Sequence, residues 1–175
     1  MSDYGKAIRK DTVRIERLLP GPIERVWAYL TESEKRSKWL ASGEMELRIG
    51  GKVQLRFLHS SLTPHQEPTP ERFKNMDCGV GFDGTVTECD PPYLLAYTWG
   101  GETSEVKFEL TPQDEKVLLV ITHTRLRDRD EMINVAAGWH AHVGIMEDNL
   151  QGQTPRPFWA TWQQLEEDYK RRMAD

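Results

Sequence analysis

Among the side chains of this 175-residue sequence that can move protons or hold metals, the histidines are the most informative. His123 falls in register with Val117, Leu119 and Ile121 on an alternating run, so it points to the apolar side. An imidazole there can hydrogen-bond a ligand or act as a general acid or base, and it can equally be a satisfied core group facing a helix. His140 and His142 stand two apart on a helical pattern, nearly opposite each other. They cannot share a metal ion, and no HExxH spacing occurs. His142 lies beside Trp139 and Met146 on the apolar side, which offers it to a pocket. Cys78 and Cys89 are too far apart for a CxxC motif, so neither a redox pair nor a zinc site is indicated. There is no nucleophile elbow, P-loop or dinucleotide fingerprint, and Gly79-Val80-Gly81 lacks the following helix that phosphate binding needs. No catalytic residue is recognised, and neither a metal nor a cofactor is expected.

Aromatic residues give the stronger signal. Trp39, Phe57, Tyr97, Trp99 and Trp139 are expected to crowd the space between sheet and helix. As a ligand box they supply broad apolar contact with an occasional polar handle, and as plain core they fill the same space. Together with His123, His142 and Met146 they form the candidate lining of a cavity.

The elements that must position them follow from periodicity. Residues 12–18 alternate Val13 and Ile15 against Arg14 and Glu16, a half-buried strand. Pro22 suits the start of a helix carrying Ile23, Val26, Trp27 and Leu30 on one face. Thr31 with Glu34 reads as a capping box opening a second short helix toward Trp39. Alternation then predicts strands at 44–49, 53–57, 82–89, 94–99, 105–110 and 117–124, with Gly50-Gly51 and Gly100-Gly101 as hairpin turns. Trp139, Val143, Met146 and Leu150 share one face of a long helix over 130–150. Phe158, Trp162, Leu165 and Tyr169 repeat that spacing on a terminal helix. Residues 59–81, with Pro64, Pro68 and Pro70, interrupt an otherwise tight meander and read as a lid or binding loop, or as a solvated excursion or dimer contact, and Glu67, Glu71 and Arg72 can cap a short helix there.

The predicted architecture is α+β: a curved antiparallel sheet of about seven strands around one long helix, with two short helices after the first strand and an extra terminal helix. Residues 1–11 read as a polar arm, 12–152 as the domain and 153–175 as a helical extension. A twisted sheet wrapped round a single helix tends to leave space between them.

The order and the motifs resemble the START-like (SRPBCC, helix-grip) superfamily, and within it the family named for the activator of the heat-shock-protein-90 ATPase. The resemblance rests on Pro22-Ile23-Glu24-Arg25-Val26-Trp27, on Trp39, on Gly50-Gly51, on the segment from Asp90-Pro91-Pro92-Tyr93 to Tyr97-Thr98-Trp99, and on Thr122-His123-Thr124 followed by Gly138-Trp139. It implies the helix-grip fold. It also implies activities found among related folds: binding of lipids, polyketides or hormones, and in some members cyclisation or hydration.

Net charge is −5 and the basic runs at 6–10 and 170–172 lie close to the termini, so a nucleic-acid partner is not expected. No apolar run approaches the ~20 residues that span a bilayer. The N-terminus carries no signal-peptide pattern, so a cytoplasmic location is expected. The leading functional expectation is a binder or carrier of a small apolar or amphipathic molecule. An enzyme using His123 as acid or base is the second reading, and a chaperone-linked interaction module the third. Phe158, Trp159, Trp162 and Tyr169 present more apolar surface than a solvated tail needs, so the terminal helix is expected to join a homodimer, the competing reading being that it folds back on its own domain.

Overall fold

The computed structural model describes residues 3–100 and 103–173. Seven antiparallel strands form one sheet: β1 (Lys6–Arg9), β2 (Thr12–Pro20), β3 (Lys52–Phe57), β4 (Val80–Asp90), β5 (Leu94–Trp99), β6 (Ser104–Gln113) and β7 (Lys116–Thr124), in the order β1-β2-β7-β6-β5-β4-β3. Helices α1 (Ile23–Thr31) and α2 (Ser33–Arg36) follow β2, and α3 (Arg129–Leu150) and α4 (Phe158–Arg172) close the chain. This is the helix-grip arrangement.

Alternation builds the inner face. Val13, Ile15 and Leu19 of β2 are buried beside Val117, Leu119 and Ile121 of β7, and His123 sits in that row opposite both Val13 and Val106. The helix α3 lies against this face with Trp139, Val143 and Met146 all buried. Its N-terminus is capped by the Asp128 carboxylate, which accepts the Glu131 N–H at 2.9 Å. Gly152, with a φ of +70°, ends it.

Three expectations need correction. The count of seven strands holds, but the set differs. The segment 44–49 is not a strand: only Ser42 and Met45 make isolated bridges, to Arg56 and Val53. The Glu46 carboxylate takes the Lys52 N–H and Arg48 closes a tight turn, so Leu47 and Ile49 are left 42% and 71% exposed. The seventh strand comes instead from the expected polar arm, as β1. Second, the capping box at Thr31 does not form. The Thr31 hydroxyl turns back onto the Trp27 carbonyl at 2.9 Å, and α1 runs through this residue.

The 59–81 segment carries short 3-10 helices at His59–Ser61 and Glu71–Met76, the second where a short helix was open to it. Third, the terminal helix has no apolar face to spare. Phe158, Trp159, Trp162, Leu165 and Tyr169 are all buried within the chain, which removes the surface from which a dimer was expected. The Gly100-Gly101 turn is described only at Gly100, which has a φ of +63°, because Gly101 lies outside the described residues.

Candidate ligand cavity

Where β3, β4 and β5 end, the inner face becomes aromatic. Phe57, Phe82 and Trp99 form a continuous run, with ring centroids 5.5 Å apart for Phe57 and Phe82 and 4.8 Å for Phe82 and Trp99. Trp139 of α3 approaches Trp99 at 5.0 Å. Across from them stand Phe158, Trp159 and Trp162 of α4, and Phe73 and Met76 of the Glu71–Met76 turn. These groups do not fill the space: a cavity of about 290 Å³ remains between them. That is at the lower end of the ~300–1,000 Å³ usual for small-molecule sites. Val80 at the rim is 39% exposed, and Met76, Asn134 and Val135 beside it are half-buried, so the opening lies between the Glu71–Met76 turn and α3.

The turn is held in place by α4. The Glu67 carboxylate accepts the Trp159 and Ala160 backbone N–H groups at 3.0 and 2.8 Å, capping α4 from outside its own sequence. Arg72 pairs with Glu166 at 2.6 Å, and its guanidinium lies over the rings of Phe73 and Trp162. Phe73 in turn stacks on Trp159 at 5.1 Å.

Three histidines border the cavity. His123 is fully engaged: Trp139 Nε1–H donates to its Nδ1 at 3.0 Å, and its Nε2 lies 3.2 Å from the Ser104 hydroxyl. The Ser104 hydroxyl donates to the Trp99 carbonyl at 3.1 Å. An indole N–H can only donate, so Nδ1 accepts and the proton of the neutral ring sits on Nε2. His142 Nδ1 lies 2.7 Å from the Trp39 carbonyl. His59 packs among Phe57, Phe158 and Trp159, and its Nδ1 is buried with no hydrogen-bond partner. Burial pushes His59 and His123 down to about 4 and His142 to about 3, so all three are uncharged near neutral pH.

Of the residues singled out in the sequence, Phe57, Trp99, His123, Trp139 and His142 border the cavity. Trp39, Tyr97 and Met146 do not. Trp39 is buried with its indole N–H on the Tyr29 carbonyl at 2.7 Å, and stands behind the lining, its ring 6.5 Å from that of Trp139 and its backbone oxygen on His142. Tyr97 lies one pleat deeper than Trp99 and packs between Trp99 and Phe108. Met146 is two helical turns beyond Trp139, about 10 Å along the axis, and belongs to closed core. Sequence reasoning missed His59, Phe82 and the α4 aromatics as lining. The α4 spacing was visible, but an apolar helix face does not say whether it turns inward or toward a partner.

The helix-grip fold with an aromatic cavity under its long helix defines the class of protein. A profile of the family described as Activator of Hsp90 ATPase homolog 1-like protein matches residues 20–151. The chain belongs to that family. A Bordetella parapertussis protein with a solution NMR structure is 45% identical, with 99% of this chain and 92% of that one covered and a TM-score of 0.82. CalU16 from Micromonospora echinospora is 19% identical, covering 91% and 86% of the two chains, with a TM-score of 0.67. A conserved protein of unknown function from Enterococcus faecalis is 20% identical, covering 99% and 91%, with a TM-score of 0.68. The last two likenesses show the fold alone. No curated protein sequence matches the chain. Among the described residues no helix is long and apolar enough to cross a membrane, and no group of side chains could hold a metal ion.

Proposed function

We propose that this protein binds and carries a small, largely apolar molecule in the cavity between the ends of β3–β5 and helices α3 and α4. The observation that carries this reading is the unfilled aromatic space itself. Side chains as large as Phe57, Trp99, Trp139 and Phe158 surround about 290 Å³ that they do not close, and lining of this kind gains from contact with an apolar guest. The ring nitrogens of His123 are both engaged by Trp139 and Ser104, which argues against an acid–base role for it. The Glu71–Met76 turn is suited to act as the gate, since it borders the mouth and is fastened to α4 by side-chain contacts.

The experiment is native mass spectrometry of freshly purified protein with solvent extraction, followed by titration with naphthalene as a neutral apolar probe. An extractable small molecule, or saturable naphthalene binding at micromolar concentration, supports the carrier reading. A protein that leaves purification empty and takes up no probe would yield that reading to a protein-interaction module, and co-purification with a chaperone would point the same way.

A further inference from the structure

Donor and acceptor arithmetic at the histidines narrows what the cavity can hold. His123 has nothing to offer, because Trp139 and Ser104 occupy both of its nitrogens. His142 is different. A carbonyl only accepts, so the 2.7 Å contact with the Trp39 oxygen fixes the His142 proton on Nδ1 and leaves Nε2, across the ring, as a lone pair. The His59 ring lies 5.6 Å away, centroid to centroid, and its buried Nδ1 has no partner. An orphaned buried nitrogen is uncommon in a folded interior and signals a missing partner. Among the described residues no Asp, Glu, Lys or Arg lines the cavity, so a charged guest would lose its water and find no counter-charge.

We propose that the ligand is a neutral alcohol or phenol on a compact apolar body, its hydroxyl seated between His59 and His142. This rests on the carrier reading above and adds the chemical class. The hydroxyl hydrogen goes to Nε2 of His142, and the hydroxyl oxygen accepts from Nδ1–H of His59. A hydroxyl performs both roles at once, whereas an ether or ketone only accepts and a hydrocarbon does neither. The walls suit a flat body: Phe57, Phe158 and Trp159 stand around His59 at ring distances of 6.0, 4.8 and 5.0 Å. The cavity volume limits that body to roughly a fused bicyclic ring.

The test compares naphthol, its methyl ether and naphthalene by calorimetric titration of the full chain. The expected result is that naphthol binds about tenfold more tightly than either analogue, the worth of a buried hydrogen bond. In His59→Leu and in His142→Phe that advantage should largely vanish while naphthalene still binds, and retained naphthalene binding shows that the variant is folded. An ether that binds as tightly as naphthol overturns the donor requirement and leaves the carrier reading standing. A naphthol advantage that survives both substitutions overturns the assignment to these histidines. If none of the three compounds binds the wild-type chain, the carrier reading fails and this inference falls with it.

Discussion

The indole N–H of Trp139 meets Nδ1 of His123 at 3.0 Å, and that one bond sets the protonation of the buried histidine. Protonating His123 would set a second hydrogen against the indole N–H, and burial already holds this group down to about 4. His59 and His140 are likewise held near 4 and His142 near 3, each chiefly by burial. Their unfolded values lie near ~6.5. Below that pH the unfolded chain takes up protons that the folded chain refuses, so stability is fully present above about pH 6.5 and is lost as pH falls toward 4. Urea unfolding midpoints should therefore drop steeply across this window, and His142→Phe should flatten the slope. A midpoint that holds constant from pH 7 to pH 4.5 would mean that these histidines are already charged in the folded protein.

Packing and hydrogen bonding at Trp139 can be separated. Trp139 is 4% exposed, so Trp139→Ala should cost roughly 3–5 kcal/mol through the void it leaves. Trp139→Phe keeps most of the ring but strips His123 of its donor, which should cost about 1–3 kcal/mol. Denaturant unfolding checks both. Near-wild-type stability for the alanine variant would place this side chain outside the packed core.

The Glu67 cap makes the gate testable without touching the cavity wall. Glu67→Ala removes the acceptor for the Trp159 and Ala160 N–H groups, at a cost of about 1 kcal/mol. Amide exchange at Trp159 and Ala160 should accelerate, cleavage within residues 63–74 should become easier, and a bound probe should leave faster. Unchanged release despite faster exchange would reduce the segment to a surface excursion.

Much of this architecture was legible because burial imposes a period. The row Val117, Leu119, Ile121, His123 pointed inward as its alternation required, and Trp139 faced the sheet as its spacing with Val143 required. The same period misled at Glu44–Ile49. There the Glu46 side chain takes the Lys52 N–H while the Arg48 and Gly51 N–H groups close a tight turn, which alternation cannot reveal. His59 escaped notice because nothing in its local pattern marks it. It enters the site only because the chain after β3 folds under α4, which depends on contacts such as Glu67 with Trp159, 92 residues apart.

Removing residues 153–175 should damage the fold rather than its association. Phe158, Trp162 and Tyr169 are buried, and Arg156 fastens the α3–α4 connection through two 2.8 Å bonds to Asp148. A chain ending at Gly152 should lose cooperative unfolding and bind hydrophobic dyes. A truncated chain that melts like the full one, and differs from it only in sedimentation, would return the terminal helix to an interface role.

Gly138 gives the most direct access to the carrier function. It lines the cavity from the middle of α3, and a Cβ placed there meets nothing within 4 Å. Gly138→Ala should stabilise the helix by up to about 1 kcal/mol, and Gly138→Leu should occupy the cavity with an isobutyl group in place of a guest. The measurement is calorimetric titration of naphthalene into the wild-type chain and into Gly138→Leu, with melting temperatures taken alongside. Saturable binding to the wild type that is lost in a Gly138→Leu chain of equal or higher melting temperature is the predicted result. Equal binding by both chains would put the guest outside this cavity, and no binding by either would contradict the carrier function itself.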